Sequence, residues 1–465
     1  MLPKYISHLG IMSMLMMAGC VIQRSDIAWP KPRPLGRDIM VYRPPKDPPP
    51  PYLEPVTLEE SMDVISLRDA LALALMHNPE LKAFSWEIRV AEARVLQASL
   101  LPNPEIGVEI EEIGGTGKIS GFDGAETTLQ LGQLIELAGK RIKRTKVASL
   151  ESELVGWDYE AKRLDVLTHV TRVFVEVLAA QERLALAMEL VRLSDQVYST
   201  VSQRVEAGKD AGVEKIKAEV VLSIVQIKGK QAAQHLESAR KQLAATWAGH
   251  SPIFERAKGQ FEAVSPIPSA GELEKLVEQN PDIARWAVTM EHRRAALELE
   301  KARAIQDPIV GGGAQWFNET DDSAFVLGVS VPLPLFNHNQ GNILEARYKL
   351  ARALEDHKAV EAFVRSSLAQ AYQRLSNAFT EATEMKKKVL PGAQRVFDAV
   401  TEGYRTGKFE YLEVLDAQRT LFASKGLYIE ALATYHIARA EVERFIGQSI
   451  SEINEIQNPR QKESQ

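Results

Sequence analysis

The stretch Phe325 to Ala346, FVLGVSVPLPLFNHNQGNILEA, decides how the chain is read. Phe325, Leu327, Val329 and Val331 alternate with Val326, Gly328 and Ser330, the period-two pattern of a strand with two unlike faces. Pro332 and Pro334 end it, because proline brings no N–H to a sheet ladder. From about Asn337 the apolar spacing becomes helical and stays so to about Arg405. The same layout stands about two hundred residues earlier, from Leu129 to Val147. A strand feeding a very long helix, twice over, is the fact to explain.

Working outward, Ile309 to Phe317 reads as the other strand of this hairpin, and Asn318 to Ser323 as its polar loop. In the earlier copy, Glu105 to Ile113 sets Ile106, Val108 and Ile110 on one face and Glu105, Glu109 and Glu111 on the other. Gly114 to Gly124 is the loop, and the return strand sets Leu129 and Leu131 against Thr128, Gln130 and Gly132. Runs of this length suit tilted strands of a membrane barrel. A soluble hairpin with one face on a core carries the same pattern, so the strands alone leave both readings open.

The helices are more explicit. From Gly139 a helical pattern runs without proline to about Ala207. Leu186, Leu190, Leu193, Val197, Val201 and Val205 on it form a coiled-coil seam. Gly208-Lys209-Asp210-Ala211-Gly212 turns the chain, and Val213, Ile216, Val220, Ile224 and Ile227 give the return helix a seam of its own. In the second copy the long helix covers about 340–405, with a kink expected at Pro391. Thr406-Gly407-Lys408 is its turn and Tyr411 to Ile446 its return helix. Short helices precede each hairpin, and Asn280-Pro281-Asp282 matches Asn78-Pro79-Glu80. Gly208-Lys209 aligns with Gly407-Lys408, Glu214 with Glu413, Ala218 with Ala417 and Gly249 with Gly447. This duplication divides the chain into repeat 1 (66–250), an irregular segment (251–270), repeat 2 (271–447) and a polar tail (448–465).

The N-terminus reads as an export signal over 1–19, with Lys4 before a short apolar core, Leu9 to Met17. Met17-Ala18-Gly19-Cys20 resembles a bacterial lipoprotein signal, which makes Cys20 the expected acylation site; an ordinary signal with an incidental cysteine is the alternative. Cys20 is the only cysteine, so disulfides within the chain are excluded. Residues 20–65 form a linker with ten prolines between Pro30 and Pro55. The net charge of −6 gives no reason to expect nucleic acid. No run of apolar residues is long enough for a membrane-spanning helix.

These pieces constrain one another. Four strands cannot close a membrane barrel, and an open edge in lipid leaves backbone groups unpaired. If the strands lie in a membrane, several chains share one barrel, lined by the polar positions Glu105, Glu109, Glu111, Gln130 and Ser330. Such a tube conducts solutes and transforms none, so no catalytic residue is expected.

The residues also resemble a family, the TolC-like outer membrane efflux proteins, and within it the CzcC-like branch that serves cation-exporting pumps of the resistance-nodulation-division type. The matching residues are Leu67 to Ala70, Asn78 to Glu80, Pro102 to Glu105, Glu136 to Arg141, Val331 to Phe336, Asn339 to Ile343 and Tyr411 to Arg419. The resemblance implies a mainly α-helical fold, with long hairpins forming a periplasmic α-barrel and a twelve-stranded outer membrane β-barrel shared by a homotrimer. It implies docking to a periplasmic adaptor and an inner membrane pump, in the outer membrane of a Gram-negative bacterium. Arg204, Gly208, Lys209, Arg405, Gly407 and Lys408 are then candidates for the periplasmic tip, where plain helix C-capping also accounts for the glycines.

A bound metal or cofactor is not expected, since the nine histidines include no pair spaced for a helix-face site. Gly114-Gly115-Thr116-Gly117-Lys118 hints at a phosphate loop, yet Glu112 stands where the first glycine belongs and Ile119 follows the lysine. The competing non-channel reading is a lipid-anchored periplasmic coiled-coil scaffold or adaptor. It accounts for the seams and Cys20 but not for two alternating hairpins at the far end of the long helices.

Overall fold

The structure, a computed structural model, describes residues 29–47 and 62–457. The signal segment and Cys20 lie outside the described residues. In chain order the elements are β1 (Met62–Ser66), α1 (Leu67–His77), α2 (Pro79–Ser99), β2 (Glu105–Glu111), β3 (Glu126–Leu134), α3 (Lys140–Glu206) and α4 (Gly212–Ala245). There follow β4 (Phe254–Lys258), α5 (Ala270–Glu274), α6 (Pro281–Ala284), α7 (Trp286–Arg303), β5 (Ile309–Phe317) and β6 (Asp322–Ser330). The chain ends with α8 (Gln340–Glu384), α9 (Leu390–Arg405), α10 (Tyr411–Ile446) and α11 (Ile450–Gln457).

Both hairpins join one four-stranded antiparallel sheet in the order β2-β3-β5-β6. The 67 residues of α3 extend about 100 Å from that sheet. In its sheet-side half α3 lies between α2 and α7, and α7 packs on α8. In its tip-side half it lies between α4 and α10, and α10 packs on α9. The sheet and the two helical halves therefore each form a row four elements wide, together one wall, with α1 and β4 packed on α3 between the halves. Its free margins are β2, α2 and α4 on one side, and β6, α8 and α9 on the other.

The structure gives the helical seams their partners. The α3 seam through Leu186, Leu190, Leu193 and Val197 packs across the duplication, against Phe397, Leu421, Phe422 and Val414 of repeat 2. The α3–α4 contact uses smaller residues instead: Ala218, Val225 and Gly229 are buried, and a Cβ on Gly229 would lie 3.5 Å from Val191. The predicted α4 seam is exposed, from 48% at Ile224 to 61% at Ile216. Where a kink is expected at Pro391, the α-helix is interrupted by a π-helical turn, Met385–Val389, that joins α8 to α9.

Other differences lie at the equator, between the two halves of the wall. The segment 251–270 is not irregular throughout, because β4 pairs in parallel with β1. The polar tail contains α11, whose Ile450 is buried against the repeat 2 core. The left-handed residue that matches Gly447 is Ala248, not Gly249. Part of the proline-rich linker is a docked strap. Buried Arg163 pairs with Glu160 at 3.0 Å and donates to the carbonyls of Leu35 (2.9 Å) and Arg33 (3.2 Å). The Arg33 N–H donates back to Glu160 at 2.9 Å, and Trp29 meets Tyr159 edge-on at 5.6 Å. A fully hydrogen-bonded buried pair of this kind fixes the path of the strap.

Candidate conduction path and its two ends

The sheet has two chemically opposite faces. Glu105 stands opposite Gly132, Glu109 opposite Thr128, Glu111 opposite Glu126 and Gly107 opposite Gln130. The same face continues through Gly311, Gly313 and Gln315 to Val326, Gly328 and Ser330. Glu105, Glu109, Glu111, Gln130 and Ser330 are thus brought onto one face. None of the four strands carries Lys or Arg. Gln315 donates to Glu126 across this face at 2.7 Å. Glycine is required at 313, where a Cβ would lie 2.2 Å from the Leu129 carbonyl oxygen.

The opposite face carries Ile106, Val108, Leu129, Leu131, Trp316, Phe325, Leu327 and Val329. It is bare: Phe325 is 94% exposed and Leu327 90%. Apolar surface of this extent on a chain's outside marks a site that lipid or another molecule covers. No described helix is long and apolar enough to cross a membrane.

Between sheet and helices stands a polar collar that the sequence did not single out. Both long helices follow a left-handed residue, Gly139 (φ 67°) and Asn339 (φ 59°). Lys140 reaches Asp307 at 2.7 Å and also donates to the Ile305 carbonyl. The Leu137 N–H donates to Asp307 at 2.7 Å. Arg144 pairs with Glu136 and donates to the carbonyls of Ala98 (2.9 Å) and Leu100 (3.0 Å). These bonds hold the exit of β3 to the entrance of β5 and to the end of α2.

At the far end the two turns share one backbone design. Gly208 and Gly407 have φ of 68° and 77°, the left-handed C-cap that glycine adopts without strain. The Lys209 N–H donates to the Arg204 carbonyl at 2.9 Å, and Lys408 repeats this on Gly403 at 2.8 Å. The side chains differ. Arg204 holds Asp210 with two bonds, 2.7 and 3.0 Å, and its guanidinium lies 4.8 Å from the Tyr404 ring centre. The Tyr404 hydroxyl donates to Asp210 at 3.1 Å, tying the repeat 1 turn to α9 of repeat 2. The hydrogen bond from Arg204 holds the Asp210 carboxyl below its usual range, and burial pushes the Tyr404 phenol up to about 12. In repeat 2, Gly403 and Phe409 take the places of Arg204 and Asp210, with the ring lying over the glycine. Arg405 is exposed and, among the described residues, pairs with Glu402 at 3.8 Å.

All six predicted tip residues therefore gather at one end, and among the described residues Arg204 is the one of them that joins a side-chain network. Its partner Asp210 lies in the Gly208 to Gly212 turn, where the glycines are the louder signal. Tyr404 has no local signal and becomes visible only in the fold. Among the described residues no group of three or more His, Cys, Asp or Glu is arranged to hold a metal ion.

With this geometry in hand, the relatives agree. The outer membrane efflux protein family pattern matches residues 70–249 and 273–448, one match per repeat. The cobalt-zinc-cadmium resistance protein CzcC of Cupriavidus metallidurans is 34% identical over 393 residues, 84% of this chain and 92% of that protein. The outer membrane protein TolC of Escherichia coli is 22% identical over 406 residues, 80% of each chain. The solved structure of CusC superposes with a TM-score of 0.70 at 16% identity, covering 88% of this chain and 99% of that one. The long helical hairpins, the small sheet with one bare apolar face and the two matched repeats place the chain in the outer membrane efflux protein family, as a channel of the TolC type.

Proposed function

We propose that this protein is the outer membrane exit duct of a tripartite pump for divalent metal cations, working as a homotrimer. The observation that carries the reading is the coincidence of free margins. Sheet, upper helices and lower helices all end on the same two sides of the wall, so one neighbouring copy satisfies all three levels at once. Three copies close a twelve-stranded barrel, which leaves no unpaired strand edge in lipid. The bare apolar face then meets lipid, and the face with Glu105, Glu109, Glu111, Gln130 and Ser330 lines the passage. Carboxylates without neighbouring cations favour cations over anions along such a passage.

The likeness to a cobalt-zinc-cadmium resistance protein supports divalent metal ions as the cargo. The driving force comes from an inner membrane pump of the resistance-nodulation-division type. A periplasmic adaptor bridges that pump to the tip, where Arg204, Gly208, Lys209, Arg405, Gly407 and Lys408 form the docking end. An acylated Cys20 adds a second hold on the membrane, continued by the strap over residues 29–47.

Native mass spectrometry of detergent-extracted protein, paired with planar-bilayer recording, tests the reading. The expected result is a trimer, acylated at Cys20, that conducts cations in preference to anions. A water-soluble monomer without conductance would overturn it in favour of a periplasmic scaffold.

A further inference from the structure

The tip-side half of α4 has two apolar sides. Ala218, Val225 and Gly229 are buried on α3. Val213, Ile216, Val220, Ile224 and Ile227 point the other way, since each residue turns the helix by about 100°. Their steps of three, four, four and three residues make one unbroken stripe along about 21 Å of helix. All five are roughly half exposed or more.

We infer that this stripe is a docking surface for an amphipathic α-helix of a second, periplasmic protein, one with an apolar seam flanked by acidic residues. The inference rests on the duct reading for the partner's compartment and for its identity as the adaptor.

The duplication shows which side of α4 a second copy of this chain takes. In repeat 2 the counterpart of α4 is α10, and α10 is gripped on two sides. Ala417, Ser424 and Tyr428 are buried on the side that matches the α3-facing side of α4. Gln418, Phe422 and Lys425 face α3, through Ser194, the leucine seam and Glu189. Gly407 follows Gly208 by 199 residues, and the same offset maps this second side onto Glu219, Ser223 and Gln226. A neighbouring copy that repeats the contact grips α4 on that polar side and leaves the stripe outside.

Repeat 2 confirms that the stripe is no requirement of the wall. Its counterparts there are Leu412, Leu415, Arg419, Ala423 and Gly426, a mixed row with an arginine at the centre. The stripe also starts directly after the Gly208 to Gly212 turn, so it is continuous with the tip. Lys217 and Lys228 flank it on one side and Lys230 on the other; Lys217 pairs with Glu214 at 2.9 Å, whereas Lys228 and Lys230 have no ion pair among the described residues. That charge selects acidic flanks on the partner. With one stripe per chain, a trimer offers three such seats, each overlapping the partner along its side.

The test places a photo-crosslinking amino acid at Ile216, Val220 or Ile224 of the full-length protein, in cells carrying the complete efflux system. The expected product joins each position to a helical segment of the periplasmic adaptor, identified by mass spectrometry, with acidic residues beside an apolar seam. Val220→Glu with Ile224→Glu is expected to lower recovery of the adaptor with the channel by about tenfold or more, as loss of two buried aliphatic contacts implies. Val220→Ser with Ile224→Ser repeats the loss without adding charge. Crosslinks to α9 of a second copy, or to no protein, would overturn the inference. Conductance of the unsubstituted protein is recorded alongside. Its absence would sink the duct reading; conductance together with undiminished adaptor recovery by both double variants would sink the docking surface alone.

Discussion

Replacing Asp210 by Asn isolates the link between the two repeats at the tip. Asp210 accepts two bonds from Arg204 and one from Tyr404. The Arg204 and Asp210 side chains are 26% and 15% exposed, between an open surface pair and a buried one. A buried charge-assisted bond is worth ~1.5–3 kcal/mol and an exposed pair ~1 kcal/mol or less, which puts this cluster at about 2 kcal/mol per chain. Asn keeps the shape but turns an NH2 toward the guanidinium. A loss of ~2 kcal/mol shifts the local opening equilibrium by about 30-fold. The expected result is hydrogen exchange about 30-fold faster at the amides of both turns, the 204–212 and 400–409 segments, with longer open dwell times in planar bilayers. The pH dependence has a definite sign. A carboxyl held below its ordinary value contributes fully above that value, 3.8, and its contribution is lost only as pH falls further, through the depressed value. The parent protein should therefore behave alike at pH 7 and pH 5, and like the Asn variant only below about 3.8. If exchange quickens in 204–212 alone, Asp210 merely staples its own turn, and the reasoning about a link between repeats is refuted.

Other outcomes follow from the sheet and collar. Gly313→Ala should abolish assembled channel on a seminative gel, because its Cβ meets backbone 2.2 Å away, whereas Gly328→Ala, with nothing within 4 Å, should assemble normally. Leu327→Arg, on the bare face, should cost about 2–4 kcal/mol if that face meets lipid, read as reduced yield in the outer membrane fraction. Lys140→Met strands Asp307 in a site where the two side chains are only 10% and 17% exposed. It should cost roughly 3–5 kcal/mol and lower the dissociation temperature of the detergent-extracted assembly. Glu109→Gln with Glu111→Gln should leave assembly intact and reduce the cation-to-anion permeability ratio, measured from reversal potentials in a salt gradient.

Much of the fold was legible because its signals are periodic and local. The alternation at 325–331 and the long proline-free pattern after Gly139 each specify an element without help from the rest of the chain. The observed β6 and α3 lie close to those readings. The helix partners were not legible in the same way. A three-four spacing says that a helix has an apolar side, not which neighbour covers it, and so nothing in the α3 seam itself points to its partners in repeat 2. The strands β1 and β4 were missed because five residues carry too little alternation, and their pairing crosses most of repeat 1. Of the sites, the carboxylates on one sheet face follow from a period of two. The Arg204–Asp210–Tyr404 cluster does not, because Tyr404 arrives from a turn nearly two hundred residues away.

The docked strap has a consequence for how the chain is completed. The Leu35 N–H donates to the carbonyl of Gly447 at 3.1 Å, so the strap that precedes repeat 1 is clasped by the last residue of repeat 2. Arg163 and Glu160 prepare its bed. Until Gly447 at the end of α10 is in place, the strap has a bed but no clasp. The strap is thus fastened only once repeat 2 has folded to its last residue, and loss of the Gly447 end would leave residues 29–47 held by Arg163 and Glu160 alone.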